Sequence, residues 1–287
     1  MSRYRNRKIA RRAARPEPKE KKKMDRRFSI IGAVLVVIIF VLLSFHYGLL
    51  KLPNGNSSSG PKLTYPSYIL PSYFVKISDS NLGQANTVNV YFLSWEGCPI
   101  GASESWVIYN FTRSNGIENG NSYIIDDNHT SDPYDAYANT PGLLFTNFTS
   151  YFSDQKFQFH VAYVYGEYVN MSQSQAITSG SDVLNSSFPA SISSVFYSFQ
   201  TNVPLGTSSS ALPSALANKH LTTSILITGN NGTYLLEGAL FNPGILSGYT
   251  PSQVMKTIND KSSSVPFAST IGNGTAYFEK VVKKAIS

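Results

Sequence analysis

The residue types best suited to chemistry in this 287-residue sequence lie at one turn, Gly97-Cys98-Pro99. Cys98 is the only cysteine of the chain, and it follows the strongly apolar residues 88–93 (VNVYFL). A cysteine at the start of a helix has its thiolate stabilised by the helix dipole and by free N–H groups. Disulfide exchange also needs a second thiol one helical turn later, but Gly101 occupies that position. The spacing therefore indicates a single-thiol reaction at Cys98, or a buried cysteine that only packs.

A strand, a turn and a helix must hold this cysteine in place. The continuous apolar character of residues 88–93 predicts a central strand that is covered on both faces. Pro99 suits the first position of a helix, so we expect a helix over residues 99–113. Cys98 is the candidate catalytic residue. The candidate residues of a groove around it are Trp95, Glu96, Gly97, Pro99, Gly101, Trp106 and Thr222.

The rest of the pattern predicts an α/β protein with a mixed sheet and helices on both faces. Residues 157–169 are rich in Val, Tyr and Phe, as a strand is, and residues 172–217 form a Ser-rich insertion with one or two helices. Residues 223–237 (TSILITGNNGTYLLE) predict a β-hairpin, and residues 250–261 and 275–286 predict two further helices. The order of strand, helix, strand, helical insertion, hairpin and helix is that of a thioredoxin-like fold.

Three segments also resemble a known family, namely FLSWEGCPIGASESW, HTSDPYDAYANTPGLLF and TGNNGTYLLEG. They are similar to segments of membrane-anchored proteins from thermoacidophilic crenarchaea whose domain has no determined function. The resemblance covers residues 65–260 and implies a thioredoxin-like fold and a location at the membrane, but no activity. The sequence departs from thioredoxin-like enzymes at Gly101. It also has no proline in residues 219–223, where such folds usually place a cis-proline.

Charge and hydropathy set the first 50 residues apart from the rest. Residues 1–27 carry 13 basic and three acidic residues, whereas the remainder has a net charge of −3, which excludes nucleic-acid binding by the folded part. The segment that begins at Phe28 and ends at Leu50 has 23 residues and no Asp, Glu, Lys or Arg. As a helix it would span about 34 Å, enough for the hydrocarbon core of a bilayer. We therefore predict one transmembrane helix.

This segment divides the chain into four parts. A secretory signal peptide is the alternative interpretation, but no small-x-small cleavage pattern follows the apolar residues. We expect a basic cytoplasmic tail (residues 1–27), a membrane anchor (28–50), a flexible linker (51–62) and an extracytoplasmic domain (63–287). The protein is then a single-pass protein of the cell membrane that contacts the lipid bilayer through residues 28–50.

The sequence predicts further properties of the outer part. Its four histidines are too widely spaced for a zinc site, and no metal or cofactor is expected. One cysteine allows no intramolecular disulfide. Eight Asn-x-Ser/Thr sequons follow the anchor, of which Asn110 falls within the predicted helix. The candidate glycosylation sites are Asn56, Asn128, Asn147, Asn170, Asn185, Asn231 and Asn273.

Two functions remain open on the sequence. The first is a binding or envelope-associated protein that lacks the dithiol and whose partner is an envelope protein, a glycan or a second copy of the chain. The second is a membrane-tethered redox enzyme or sensor that acts through Cys98 alone. Whether the protein is an enzyme depends on the reactivity of that thiol.

Overall fold

A six-stranded mixed β-sheet with helices on both faces forms the centre of the protein in its computed structural model. The structure describes residues 62–117, 121–260 and 264–287, all within the second of two units into which the chain divides after Ser58. The predicted tail, the membrane anchor, nearly all of the linker and the sequon at Asn56 lie outside the described residues. Among the described helices, none combines the length and apolar character that a membrane crossing requires.

The sheet has the strand order β1-β8-β7-β2-β6-β5. Strands β2 and β6 are parallel, and every other neighbouring pair is antiparallel. A separate antiparallel pair, β3 and β4, lies outside this sheet. The strand bounds are β1 Val75–Ser78, β2 Thr87–Ser94, β3 Ile124–Asp126, β4 Leu144–Phe145, β5 Phe148–Phe152, β6 Gln155–Tyr163, β7 Ser224–Gly229 and β8 Gly232–Glu237.

Two groups of helices cover the two faces of the sheet. The described helices are α1 Pro99–Ser114, α2 Gln173–Ser187, α3 Ala190–Asn202, α4 Ser214–Asn218, the 3₁₀ helix Pro243–Leu246, α5 Pro251–Asn259 and α6 Pro266–Ile286. The buried residues of α1, α5 and α6 share one apolar cluster with one face of the sheet. Those of α2, α3 and α4 share a second cluster with the other face. The predicted mixed sheet flanked by helices is therefore confirmed.

Strand β2 lies between a parallel and an antiparallel neighbour, and all eight of its residues are buried. Side chains alternate between faces along a strand. Val88, Val90 and Phe92 accordingly pack against α1 and α6, whereas Tyr91 and Leu93 pack against the α2–α4 side. The apolar character that predicted a doubly covered strand thus reflects two hydrophobic cores of similar depth.

Two predicted elements have different bounds in the structure. Strand β6 ends at Tyr163 rather than at residue 169, because its partner β2 ends at Ser94. The residues after Tyr163 then run beside the turn that follows β2. Helix α6 begins at Pro266 rather than at residue 275. Its first turns contain weak helix formers, but Phe267 and Ile271 are buried in the core and hold them in place.

Candidate functional site

Cys98 is the residue just before α1, at the carboxyl end of β2. Its N–H donates to the carbonyl of Trp95 at 3.1 Å, and its carbonyl accepts from the N–H of Ala102 at 2.9 Å. Pro99 costs no hydrogen bond at the first helical position. A Cβ at Gly97 would lie 1.9 Å from the carbonyl oxygen of Glu167, so only glycine fits within the turn.

Cys98 is buried, since only 5 % of the residue is exposed. Thr223, the residue before β7, donates its hydroxyl to the sulfur at 3.0 Å, and Ser94 Oγ lies 2.9 Å from the same hydroxyl. Burial raises the pKa of Cys98, and the hydrogen bonds from Thr223 and from the N–H groups of Gly101 and Ile100 oppose this rise. The net direction is upward, which disfavours the thiolate.

The acidic neighbour of the thiol comes from a distant loop. Asp135 raises the pKa of Cys98 further through its negative charge. Glu96, which is closer in sequence and was expected near the cysteine, is half-buried, and its carbonyl accepts a 2.6 Å hydrogen bond from the Nε2 of His129.

Gly101 faces the strand behind the cysteine. A Cβ at this position would lie 2.0 Å from Ser94 Oγ and 3.3 Å from Thr223 Oγ1. The first distance is far below any real contact, so a side chain here would have to displace Ser94. The position at which a second cysteine would stand is therefore sterically closed as well as unoccupied by sulfur.

A cavity of about 220 Å³ opens beside Cys98. Of the predicted groove residues, Trp95, Pro99 and Thr222 line this cavity together with Cys98. Glu96, Gly97, Gly101 and Trp106 do not line it. The other walls include Ile100, Asp135, Tyr137, Leu205, His220 and Gly238.

Two polar groups of the cavity residues lack hydrogen-bond partners among the described residues. They are the indole N–H of Trp95 and the hydroxyl of Thr222. The two residues are only 4 % and 8 % exposed. A buried polar group without a partner costs about 1–3 kcal/mol, and both of these atoms are almost completely closed to solvent. The cavity thus has largely apolar walls, and two of its lining residues carry unpaired polar atoms that are buried beneath its surface.

The acidic loop of residues 127–143 supports the site from outside. The N–H of Asp132 donates to the carbonyl of Gly97 at 2.9 Å. Trp106, fully buried on the α1 side of the sheet, donates its indole N–H to the carbonyl of Pro141 at 2.7 Å. The N–H of Leu143 donates to Ser105 Oγ at 2.9 Å. These bonds fix the loop against α1 and bring Asp135 and Tyr137 to the cavity.

A larger depression of about 600 Å³ lies along α2, between Asn170 and Asp182. Its lining residues are Asn170, Met171, Ser174, Gln175, Thr178, Ser179 and Asp182. Six of these seven residues are polar, and the depression is more open to solvent than the cavity beside Cys98, so the smaller, mostly apolar cavity is the better candidate for a specific site.

The sequons within the described residues differ in their accessibility. The side chain of Asn110 donates to Thr275 Oγ1 at 3.0 Å from within α1, in keeping with its omission from the candidates. Asn231 and Asn273 are exposed, but the threonines of their sequons are buried. The exposed candidates without this constraint are Asn128, Asn147, Asn170 and Asn185.

Several residues of the site carry no signal in the sequence. Thr223 is 125 residues from Cys98, and it reaches the sulfur only because β7 pairs with β2. Asp135 and His220 likewise arrive on separate loops. The only signal for Thr223 in the sequence is its position as the first residue of the predicted hairpin.

Comparisons with known proteins place the chain in one family. No curated protein and no solved structure matches the chain. A family model described as "Domain of unknown function (DUF929)" matches residues 73–284, which is well over half of the chain and includes every described strand and helix apart from the end of α6. The protein therefore belongs to the DUF929 family, whose domain has no known function.

Proposed function

We propose that residues 63–287 form an extracytoplasmic thioredoxin-like domain that binds a partner at the cavity beside Cys98 and does not exchange disulfides. Residues 28–50 anchor the domain in the cell membrane, with the basic tail in the cytoplasm. The setting that we infer, from the resemblance to crenarchaeal proteins, is an archaeal cell envelope.

The strand order supports the thioredoxin-like assignment. Four adjacent strands, β6-β2-β7-β8, include one parallel pair joined through α1 and a hairpin that is antiparallel to β2. Helices α1 and α6 pack on one face, and the helices between β6 and β7 pack on the other. This is the arrangement that a thioredoxin-like fold requires, with the cysteine at the start of its first helix.

The main support for the binding hypothesis is that the space beside Gly101 is too small for a second cysteine side chain. A dithiol enzyme needs its second sulfur one turn after the first. Here Ser94 Oγ fills that space, and the Cys98 sulfur is buried with a raised pKa. What remains of the site is a largely apolar cavity, which suits recognition rather than exchange.

The size of the cavity favours a partner that inserts one or two side chains. A volume of about 220 Å³ is below that of most sites for drug-sized ligands. The indole N–H of Trp95 and the hydroxyl of Thr222 are buried and unpaired, so they would bond polar atoms of the inserted segment only if its entry moved these two side chains. We propose an envelope protein as the partner; a second copy of the chain and a glycan are the alternatives.

Photo-crosslinking of the full chain in its own cells tests this proposal. A photoreactive amino acid at Tyr137, which lines the cavity and is 40 % exposed, should give a discrete adduct. The matched control has the same photoreactive amino acid in place of Tyr151, which is 70 % exposed on edge strand β5. An adduct of twice the mass of the chain identifies self-association. Equal adducts at both positions, or none at Tyr137, would refute a protein partner at the cavity.

Single-thiol redox chemistry is the second candidate function. Its support is that Cys98 lines the cavity and that Thr223 and two helix N–H groups bond its sulfur. In such a reaction the Cys98 thiolate would attack a partner disulfide, form a mixed disulfide and release the other partner sulfur as a thiolate. Rapid alkylation of the native thiol near pH 6 would favour this candidate.

The proposed topology rests on residues outside the described structure. Protease added to intact cells should remove the region from Leu63 to Ser287, and full protection of that region would refute the orientation. Mass spectrometry of the cell-derived protein should find glycan at Asn128, Asn147, Asn170 or Asn185, because these sequons are exposed.

A further inference from the structure

Six basic side chains gather at one end of the domain, opposite the Cys98 cavity. All six are exposed. We call this region the basic end, and its members are Lys76, Arg113, Lys156, Lys280, Lys283 and Lys284.

The sheet topology explains why residues so far apart in sequence share this end. Lys156 pairs with Thr87 where β2 and β6 begin, whereas Cys98 follows the other end of β2. The β7–β8 hairpin turns at this same end, and its Asn231 N–H donates to the carbonyl of Ala285 at 2.9 Å. The end of α6 is therefore fixed beside the hairpin, and its last three lysines lie there.

Two further contacts bring the remaining basic residues to this end. Lys76 of β1 lies opposite Tyr234 in the strand register, close to the start of β8. Helix α1 runs back from Cys98, and Asn115 at its end donates to Glu279 of α6 at 3.3 Å, which places Arg113 near the lysines of α6.

Six basic residues and three acidic ones, Asp79, Asp154 and Glu279, lie at the basic end, which leaves it with an excess of positive charge. Lys76 pairs with Asp79 at 2.7 Å and Lys283 pairs with Glu279 at 2.6 Å. Among the described residues, Arg113, Lys156, Lys280 and Lys284 have no ion pair, which leaves their charges available to an external anion. The acidic residues Glu96, Asp132, Asp135 and Glu167 lie instead around the Cys98 turn and its supporting loop.

The chain enters the domain at the basic end. The N–H of Thr64 donates to the carbonyl of Ile77 at 2.7 Å, and Ile77 lies in β1 beside Ser78, which pairs with the start of β8. Only residues 51–61 separate the predicted anchor from the first described residue. Even fully extended, this length of chain reaches about 40 Å. With the anchor that we propose, this segment limits how far the domain can move from the bilayer, and the chain joins the domain at its basic end.

We propose that the basic end lies on the membrane surface and binds anionic lipid headgroups, so that the Cys98 cavity faces away from the bilayer. The proposal rests on the membrane anchor of the proposed function, but not on the cavity as a binding site. Exposed lysines and arginines bind an anionic surface through long-range attraction that salt weakens. The acidic cavity end would be repelled by the same surface, which reinforces the orientation.

Residue-resolved lysine acylation of the full chain in lipid nanodiscs tests this orientation. One set of nanodiscs contains phosphatidylcholine alone and the other a mixture with phosphatidylglycerol. We expect acylation of Lys156, Lys280 and Lys284 to be about fivefold slower in the anionic nanodiscs at low salt. The difference should disappear at high salt. Lys219, exposed near the cavity, is the internal control and should react equally in both.

A charge-removing variant sharpens the result. Lys156→Gln/Lys280→Gln/Lys284→Gln should abolish the salt-dependent protection that Lys283 shows in anionic nanodiscs, whereas Lys219→Gln should not. Equal acylation in both lipids, or protection of Lys219 instead, would overturn the proposal. Protection that ignores lipid charge and salt would also overturn it. If the chain fails to incorporate into nanodiscs at all, the membrane anchor is refuted, so the two failures are distinguishable.

Discussion

Burial and hydrogen bonding act in opposite directions on the Cys98 thiol, and burial dominates. The helix start offers the N–H groups that a thiolate needs, and Thr223 adds a hydroxyl. Removing the sulfur from water outweighs these bonds, because a charged thiolate loses more solvation than three hydrogen bonds replace. Cys98 thus lies at a helix start, which favours a thiolate, but its burial disfavours ionisation.

Replacing Thr223 tests how the thiol is held. Thr223→Val removes the hydroxyl that donates to the sulfur, so we expect the pKa of Cys98 to rise further and the free energy of unfolding to fall by about 1 kcal/mol. Titration of the ¹³Cβ chemical shift of Cys98 measures the pKa. Thr222→Val is the matched control, since that hydroxyl has no described partner and the variant should leave the thiol pKa unchanged.

Gly101 offers a second test at the scale of single residues. Gly101→Ala should destabilise the domain by about 1–3 kcal/mol through its clash with Ser94, although alanine favours helices. Urea unfolding of residues 59–287 measures the change, and Ser94→Ala in the same chain should restore part of the loss. Gly272→Ala in α6 is the control. Its added Cβ would meet nothing within 4 Å, so this variant should stabilise the domain. A neutral Gly101→Ala would contradict the steric closure.

The sequence predicts only part of this site. Cys98, its turn and the absent second thiol follow from neighbouring residues. Ser94 and Thr223 could not be predicted, because their contact depends on which residues of β2 and β7 end beside the helix. Contacts across a sheet are set by register, and register is not written in local sequence.

Strand β2, helix α1 and the loop of residues 127–143 act together as the elements of the site. The strand supplies the cysteine turn, and the loop bonds back to both the turn and the helix. Trp106 joins these parts, since it is a fully buried residue of α1 and its indole N–H donates to the loop. The shape of the cavity therefore depends on a residue of the apolar cluster on the opposite face of the sheet from that of Cys98.

Trp106→Phe tests this coupling. The variant leaves the carbonyl of Pro141 without its donor, so we expect a loss of about 1–3 kcal/mol. Amide hydrogen exchange should become faster in residues 129–143, while β6 remains protected. Tyr109→Phe, in the same helix as Trp106, serves as the control. It removes the 3.1 Å hydrogen bond from the Tyr109 hydroxyl to Asn259, and the loop should stay protected. Unchanged exchange in the loop would contradict the coupling.

Elements with a strong local pattern agree best with the sequence predictions. Strand β2, helix α1 and the β7–β8 hairpin have nearly the predicted bounds. Strand β5 was not predicted, since it is an edge strand with only one buried residue. The first turns of α6 were missed because Gly272 and Gly274 weaken their helical pattern, and tertiary packing overrides that weakness.

At the scale of the whole molecule, two buried carboxyl groups set the response to pH. Burial raises the pKa of Glu104 to about 8 and that of Glu237 to about 7, although the Leu240 N–H and the Ser214 hydroxyl respectively oppose this. One oxygen of Glu104 and both oxygens of Glu237 lack a hydrogen bond of normal geometry within the described part of the chain. Both groups are therefore more stable in the fold when protonated.

The domain should be more stable in acid than at neutral pH. Both folded pKa values exceed the unfolded value of 4.5, so their contribution is complete below pH 4.5 and lost as pH rises through 7 to 8. We expect the free energy of unfolding to fall by roughly 3 kcal/mol or more between pH 5 and pH 8. Burial lowers the pKa of His160, and this histidine acts in the opposite direction.

Urea unfolding across pH measures this dependence in the wild type and in variants. Glu104→Gln and Glu237→Gln should each flatten the loss above pH 5. Glu279→Gln is the control, since the hydrogen bond from Lys283 lowers the pKa of Glu279 and its contribution is lost only in acid. A wild-type stability that rises from pH 5 to pH 8 would contradict the assignment.

Hydropathy alone predicts the membrane anchor. The net charge, in contrast, does not predict that the basic and acidic residues of the domain lie at opposite ends. Its net charge after residue 27 is only −3. The basic end becomes visible when β2, β6, the hairpin and α6 bring their lysines together, and it could not be predicted without the topology. The three-dimensional separation of charge is thus a property of the fold rather than of composition.

The reactivity of the Cys98 thiol tests most directly whether this site binds or reacts. The full chain would be treated with iodoacetamide between pH 6 and pH 9, native and in denaturant, and alkylation at this sole cysteine measured by mass spectrometry. We predict a thiol that is nearly inert in the native protein throughout this range and reacts fully after unfolding. Rapid native alkylation near pH 6 that slows on denaturation would contradict the account, because it requires an exposed thiolate that the fold stabilises.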